Sequence, residues 1–264
     1  MTGNRPNLMQ LHTLSNPFAD RSAHCVRRGF TLIELLVAVG VISVLIALLM
    51  PALLMARRAA YQAQCASNLR QWALALNTYV NDYHGWLPRR GQGKMPTQTV
   101  IWPDDWFNAL PMQLGQKSYS DLAASAQIPG LGGSRGIWVC PESTAKPNPN
   151  GYFFSYAMNM ALSVRNAAQP DRMNHVGSTS TMVFMADAPG AFCSTLPFIS
   201  TPLQPAPFNP SPRHSGRVNL SFLDGHVTAY AADEIGCNTG DPKRQDVRWF
   251  WYMPGPYPAP WTGP

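Results

Sequence analysis

Hydrophobic residues are concentrated in one N-terminal stretch of the chain. From Phe30 to Met55 the only ionisable residue is Glu34, and Leu35–Met50 carries no charge. About 25 residues at roughly 1.5 Å each are enough to cross a bilayer core of about 30 Å. A buried core helix would need a large apolar surround, which the polar and proline-rich remainder does not supply. The pattern therefore predicts a transmembrane helix over residues 30–55.

The apolar positions that follow recur with the period of an amphipathic helix. Residues 56–66 are rich in Ala, Arg and Gln, which favour helices. Gly85 and Pro88 predict the end of this helix near Tyr83. We predict one long helix with a bend at Pro51, whose second part, residues 56–84, packs on a globular head. Hydrophobic residues at three- and four-residue steps mark the packed face: Cys65, Leu69, Trp72, Ala73, Leu76, Tyr79, Val80 and Tyr83.

Period-two alternation predicts a small sheet in the head, residues 85–264. Its clearest element is Arg217–Leu223, where Val, Leu and Phe alternate with Asn and Ser. Asp224-Gly225 follows and leads into His226–Tyr230. This order predicts a hairpin with a type I′ turn and positive φ at both turn residues. Shorter strands are predicted elsewhere in the head: Trp138–Cys140, Tyr152–Met158 and Thr181–Ala186.

Other parts of the head have the composition of irregular structure. Loop signals dominate Pro88–Pro149, and the Pro-rich segment Thr195–Pro212 is expected to be a solvated extended loop. Trp249–Tyr252 precedes a Pro-rich tail and is interpreted as a last strand packed on the sheet, with a subunit or ligand contact as the alternative. The predicted fold is α+β, with a long N-terminal transmembrane and amphipathic helix packed on a small antiparallel sheet with long loops.

Composition favours an anchored protein over a nucleic-acid-binding one. Charged residues make up 13% of the chain, against about 25% in typical soluble domains. Four arginines and one aspartate before Phe30 supply half of the net charge of +6, and the remaining basic residues are scattered. Because no basic stripe with interleaved aromatic residues is present, we expect no nucleic-acid partner.

The start of the apolar run has the features of a processing site. A secretory signal is cut after its apolar segment and does not bury a carboxylate. An isolated Glu in hydrocarbon costs a few kcal/mol and therefore needs a partner. Cleavage after Gly29 would create a cationic amine on Phe30, about one helical turn from Glu34. The alternatives are a twin-arginine export signal, which Glu34 and the missing A-x-A site argue against, and a segment that serves only as an anchor.

Residues 27–53, RRGFTLIELLVAVGVISVLIALLMPAL, resemble the cleavage and methylation segment of type IV prepilins and type II secretion pseudopilins. The resemblance implies that a membrane-embedded prepilin peptidase cuts between Gly29 and Phe30 and methylates the new amine of Phe30. It implies that Glu34 assists methylation and assembly with other pilin-like subunits. It also implies a single-pass protein of the inner membrane, with its leader, residues 1–29, in the cytoplasm and its head outside.

His214 and Asp224-Gly225 form an H-X9-DG pattern. The pattern is similar to the C-terminal segment of a family of prepilin-like proteins abundant in planctomycetes and related bacteria, which implies a pilin-like architecture for most of the chain. Four cysteines lie outside the leader, and the sequence leaves three pairings open, with buried free thiols as the alternative. The resemblance suggests a helix-to-loop disulfide between Cys65 and Cys140.

Two carboxylates and two imidazoles of the head form a candidate metal set: Asp187, His214, Asp224 and His226. The favoured alternative is structural, with Asp224 as the first residue of a tight turn and His214 hydrogen-bonded across a loop. We therefore expect no metal and no cofactor. Nucleophile-elbow, zinc-peptidase and P-loop motifs are missing from the sequence, so we expect no catalytic activity.

These observations favour a structural function. We expect a membrane-anchored subunit that packs its apolar helix against other subunits in a pilus or secretion pseudopilus. The alternative is a single-pass extracytoplasmic binding or receptor protein that uses the N-terminal segment only as an anchor. An exported hydrolase is the third possibility.

Overall fold

The structure is a computed structural model. It describes most of the long N-terminal helix and most of the head. The chain divides after Met50 into two units, which are treated separately below. The described residues are 29–91, 102–130, 133, 135–144, 153–162, 172–190, 194–195, 209–237 and 242–249.

One long helix, α1, extends from Leu32 to Asp82. It ends at Asp82, which agrees with the predicted end near Tyr83. Gly85 has a φ of +88°, and its N–H donates to the Val80 carbonyl at 2.8 Å, which closes the last turn. Pro51 lies inside α1, and the bend predicted there stays a prediction.

The head contains a five-stranded sheet of mixed direction. Its strands, in spatial order, are β3 (Ser194–Thr195), β1 (Phe154–Asn159), β2 (Val183–Gly190), β4 (Arg217–Phe222) and β5 (Val227–Ala231). Strands β1, β2, β4 and β5 pair antiparallel, whereas the two-residue strand β3 pairs parallel with β1. The structure therefore confirms the predicted α+β fold, a long helix packed on a small antiparallel sheet. Among the described residues between β1 and β2, Met160–Leu162 and Met173–His175 form 3₁₀ segments.

Trp72 of α1 lies at the centre of the core between helix and sheet. Its ring centroid is 5.4 Å from that of Trp106 and 4.9 Å from that of Trp138. Its indole N–H donates to the Ile137 carbonyl at 3.0 Å, so the buried polar atom is satisfied. Each such aromatic contact contributes about 1 kcal/mol beyond the area that it buries. Most of the predicted helix face is buried around it, including Cys65, Leu69, Ala73, Leu76 and Tyr79.

A second apolar cluster covers the sheet on its other side. It includes Val218, Leu220 and Phe222 of β4 together with Trp249. The alternation in β4 is therefore not between core and solvent, because Asn219 and Ser221 are also buried. Both faces of this strand are covered, which explains why its polar residues need partners inside the protein.

Three sequence predictions about local structure are wrong. Trp138–Cys140 is not a strand, since Gly136–Trp138 forms a 3₁₀ turn. Pro88–Pro149 contains two helices that the loop signals concealed, α2 (Trp106–Gln113) and α3 (Tyr119–Ala124). Trp, Phe and Asn are weak helix formers and Pro111 lies inside α2, so burial of its aromatic face stabilises this helix where propensity does not.

The third wrong prediction concerns the turn of the β4–β5 hairpin. A type I′ turn would need positive φ at both Asp224 and Gly225, and only Gly225 has it, at +97°. The connection is longer than two residues: Gly225 N–H donates to the Phe222 carbonyl, and Phe222 N–H donates to that of His226, both at 3.0 Å. This pattern is typical of a type I turn followed by a glycine bulge.

The predicted last strand, Trp249–Tyr252, is described only at its first residue, and one bridge lies just before it. Arg248 pairs with Met182 in parallel next to the start of β2. Trp249 is buried, and its indole N–H donates to the Ile235 carbonyl at 3.1 Å. Phe250–Tyr252, the rest of that prediction, lies outside the described residues, as does most of Thr195–Pro212.

Asp105, at the start of α2, is a carboxyl group held inside the head. It has no side-chain capping bond and is almost fully buried. Burial raises its pKa to about 7, against the opposing effect of the Arg89 cation, whose Nε lies 3.9 Å from Asp105 Oδ1. The folded protein therefore holds a proton that the unfolded chain releases near pH 3.8.

We predict that the free energy of unfolding falls as pH rises from about 4 through 7. The reason is that the Asp105 carboxyl group loses its proton more readily in the unfolded state. Asp105→Asn should remove this pH-dependent loss of stability. The melting temperature of the variant minus that of the unmodified protein should therefore be more positive at pH 8 than at pH 5. Thermal unfolding of the full chain in detergent measures this, with Asp104→Asn as the control. An equal effect of Asp105→Asn at both pH values would contradict the prediction.

Candidate functional site

Thr31 and Glu34 form a reciprocal cap at the start of α1. The backbone N–H and the hydroxyl of Thr31 donate to Glu34 Oε2 at 2.8 and 2.9 Å, and Glu34 N–H donates to Thr31 Oγ1 at 3.2 Å. This is a capping box, the S/T-x-x-E arrangement that satisfies two free N–H groups of a helix start. Sequence reasoning missed it, although the Thr31-x-x-Glu34 spacing is its usual signal. Glu34 is thus positioned one turn from the predicted cleavage site.

The first part of α1 presents apolar side chains outward. Every residue from 29 to 60 is exposed. Within the described part of the chain, α1 is the one helix that is long and apolar enough to cross a membrane, and its most apolar stretch is not buried at all. The predicted span Leu35–Met50 lies within this helix.

A cluster of buried polar groups surrounds His214 in the head. Nδ1 of His214 lies 2.5 Å from Glu142 Oε2, and Nε2 lies 3.5 Å from Cys140 Sγ and 3.8 Å from Asp187 Oδ2. The side chain of His214 is fully buried, and its backbone φ is +46°. Glu142 thus lies on the Nδ1 side of the imidazole. Nε2 is then the nitrogen that faces the sulfur.

Asp187, in the middle of β2, is held by neighbours on both sides. Its Oδ2 accepts from the backbone N–H of Asn219 at 2.9 Å and from the Asn219 side chain at 3.1 Å. Arg213 Nη1 lies 3.6 Å from Asp187 Oδ1, and Arg213 also donates to the Ser155 and Ala188 carbonyls. Burial raises the pKa of Asp187, whereas the Arg213 cation opposes that rise. The carboxyl group of Asp187 and the guanidinium group of Arg213 thus lie beside each other next to His214.

Cys65 and Cys140 form a disulfide, the pairing that the resemblance suggests. It joins α1 to the segment after the 3₁₀ turn, with 5.2 Å between the two Cα atoms. Closing a loop of this sequence separation, 75 residues, stabilises a fold by about 4 kcal/mol in the chain-entropy description. Cys237 is free and buried, and burial raises the pKa of its thiol to about 12. Cys193 lies outside the described residues.

The Asp224-Gly225 turn lies directly on α1. A side chain at Gly225 would begin 3.5 Å from Asn77 Nδ2 and 4.0 Å from the Ala73 Cβ. Asp224 Oδ1 accepts from the backbone N–H of His226 at 3.1 Å and lies 2.6 Å from its Nδ1. Glycine suits the positive φ of this turn, and a Cβ here would make ordinary van der Waals contact with α1.

The four residues of the candidate metal set do not form one cluster. Asp187 and His214 lie together, whereas Asp224 and His226 form a separate, partly exposed pair. Asn219, which binds Asp187, is separated from Asp224 by the last part of β4 and the start of the turn. The length of β4 therefore keeps the two halves of the set apart. Cys140 and Glu142 are the neighbours of His214 that sequence reasoning missed.

Comparison with known proteins identifies the N-terminal segment. A family model of the prokaryotic N-terminal methylation motif matches residues 26–50. Neither the curated proteins nor the solved structures contain a match to the chain. The motif and the long apolar helix together make this a pilin-like protein that a single N-terminal helix anchors in a membrane. The similarity of the H-X9-DG segment to a planctomycete family stays a prediction.

We predict that a large side chain at Gly225 separates the hairpin from α1. Gly216 is the matched control, because its φ of +84° is similar and a Cβ there would have no such neighbour within 4 Å. Both Gly216→Leu and Gly225→Leu introduce strain of about 1–2 kcal/mol from positive φ. Gly225→Leu alone must also displace the helix, so it should lower the free energy of unfolding further. Equal losses in chemical denaturation would contradict the contact between turn and helix.

Proposed function

We propose that the protein is a structural subunit of the pilin or pseudopilin type. In this proposal a prepilin peptidase cuts between Gly29 and Phe30 and methylates the amine of Phe30. The leader stays in the cytoplasm, the head lies outside the inner membrane, and subunits associate through the first part of α1. The observation that carries the proposal is the match of the methylation motif at the start of a helix whose apolar surface is fully exposed.

The exposed apolar surface of α1 needs a partner. Burying apolar surface contributes about 25 cal/mol per Å², so lipid or neighbouring helices must cover these side chains. In lipid, helices associate through close packing at small residues. Gly40, Ser43 and Ala47 follow one another at three- and four-residue steps, which places them on one helix face. Ser43 Oγ donates to the Val39 carbonyl at 2.7 Å, so its hydroxyl is satisfied without a second subunit.

Glu34 supports the same proposal. Its carboxylate faces the N-terminal end of α1 and caps it through Thr31. Once the bond after Gly29 is cut, the amine of Phe30, from the same or a neighbouring subunit, becomes the nearest cation for this carboxylate. The pairing would reduce the cost of placing a carboxylate at the membrane, which supports a role in aligning subunits.

We predict that protein recovered from membranes begins at a methylated Phe30, which N-terminal sequencing and mass spectrometry measure. Glu34→Gln and Glu34→Ala should both insert and be cleaved but fail to enter filaments, because both lack the charge. Glu34→Gln separates the charge from the cap, since glutamine lacks the charge but keeps the capping geometry. Filaments formed by Glu34→Gln would show that the charge is dispensable. Recovered protein that begins at Met1 would overturn the cleavage step.

A second candidate function, a binding or receptor protein without filaments, is favoured by one cavity of the head. It has a volume of about 320 Å³ and opens to the surface between α3 and the 3₁₀ turn. The lining residues are Gln116, Lys117, Leu122, Gln127, Gly136 and Trp138. Neither candidate assigns catalysis to the head.

For this alternative we predict that Lys117→Ala weakens binding of anionic oligosaccharides to the full chain, whereas Glu34→Ala does not. Isothermal titration of the detergent-solubilised protein distinguishes the two candidates. Unchanged heats for Lys117→Ala, or no binding by the unmodified protein, would remove the cavity as support for a receptor.

A further inference from the structure

Cys65, Cys140 and His214 bring three potential metal ligands together. Their ligand atoms, two sulfurs and one imidazole nitrogen, all lie within 4.8 Å of one another, and all three residues are buried. In the oxidised protein the sulfurs are bonded to each other and offer no thiolate. The same positions would present two thiolates and one nitrogen after reduction.

The distance between His214 and Cys140 in this cluster fits an edge of a tetrahedral zinc site. Zn–S and Zn–N bonds of about 2.3 and 2.0 Å place sulfur and nitrogen about 3.5 Å apart in a tetrahedron. Nε2 of His214 lies 3.5 Å from Cys140 Sγ. Asp187 Oδ2 lies 3.8 Å from the same nitrogen and already accepts two hydrogen bonds from Asn219, so it is a neighbour of this cluster. Two sulfurs and one imidazole nitrogen are ligand types that zinc accepts.

Glu142 supplies the neighbour that a metal-binding histidine needs. Imidazoles that bind metals through one nitrogen usually donate the other N–H to a carboxylate, which fixes the tautomer. Nδ1 of His214 lies 2.5 Å from Glu142 Oε2, and the backbone N–H of His214 donates to the same oxygen at 3.2 Å. Nε2, turned toward Cys140 Sγ, is therefore oriented as a ligand.

The charges of the surroundings also suit a buried divalent cation. Zn²⁺ with two thiolates carries no net charge. Asp187 is balanced by Arg213, whose Nη1 lies 3.6 Å from Asp187 Oδ1. Binding would thus add no net charge to the interior, which removes the main cost of placing an ion there.

We propose that the reduced protein binds one Zn²⁺ through Cys65, Cys140 and His214, and that formation of the Cys65–Cys140 disulfide replaces this site. A dithiol reductant gives two electrons and two protons to the disulfide and becomes a disulfide itself. Zinc then displaces the two thiol protons. In the reverse direction zinc leaves, and the thiols pass two electrons to an exchanging disulfide. One cluster thereby holds α1 on the head in either redox state.

The test uses the full chain in detergent with Cys25, Cys193 and Cys237 changed to serine, which leaves Cys65 and Cys140 as its only thiols. After reduction by a phosphine without oxygen, Co²⁺ is titrated as a spectroscopic substitute for zinc. We expect one equivalent to produce sulfur-to-cobalt charge-transfer absorption and the visible bands of tetrahedral Co²⁺, with displacement by Zn²⁺. The reoxidised protein should show neither. Lack of thiolate charge transfer in the reduced protein would overturn the proposal.

Two variants separate a ligand from a structural histidine. His214→Asn tolerates the positive φ and retains a side-chain N–H for Glu142 but removes Nε2, so Co²⁺ affinity should fall at least 10-fold. Glu142→Gln should weaken it about 10- to 100-fold through the orientation of the imidazole. His226→Asn, at the exposed pair, is the control and should leave affinity unchanged. Equal affinity in His214→Asn would exclude His214 as a ligand and overturn the site.

A second measurement needs no cysteine substitutions. Zn²⁺ should slow re-formation of the Cys65–Cys140 disulfide in the reduced chain about 10-fold or more, as followed by mass spectrometry of linked peptides, because bound thiolates are withheld from exchange. The same ion should have little effect on the rate in His214→Asn. Zinc-independent oxidation of the unmodified chain would contradict the proposal even if the triple-serine variant failed to fold.

Discussion

Burial of one face of α1 is the interaction on which the head depends. Trp72, with Trp106 and Trp138 around it, fills the space between helix and sheet, and its N–H is satisfied by the Ile137 carbonyl. Without this face the sheet would expose Phe154 and Tyr156, which are now buried. The same helix carries the exposed apolar surface of residues 32–50. A single element thus provides both the membrane anchor and part of the core of the head.

The two parts of the H-X9-DG pattern act at opposite ends of β4. His214 precedes this strand and contacts the Cys140 sulfur of the disulfide that reaches α1. Gly225 follows the strand and lies against Ala73 and Asn77 of α1. Between them, Asn219 binds the buried carboxylate of Asp187. The pattern therefore combines two attachments of the sheet to the helix with one buried polar cluster.

Periodicity predicted the parts of the fold that are long or regular. The face of α1, its end near Gly85 and the pairing of Arg217–Phe222 with the next strand could all be read from sequence. Helix α2 could not, because tertiary burial determines it and its residues are poor helix formers. The turn type was missed because Asp-Gly suits both a type I′ turn and a type I turn with a bulge. The neighbours of His214 come from distant segments, and no local pattern indicates that Glu142 or Cys140 reaches it.

The position of the disulfide has a mechanical consequence for an anchored protein. Tension applied through the membrane helix reaches Cys65 before it reaches the Trp72 face. The covalent bond passes that load to Cys140, so the intervening segment cannot be pulled straight. At about 3.5 Å per residue, a separation of 75 residues corresponds to roughly 260 Å of chain that stays locked under force. The disulfide thereby limits how far the oxidised head can extend under load.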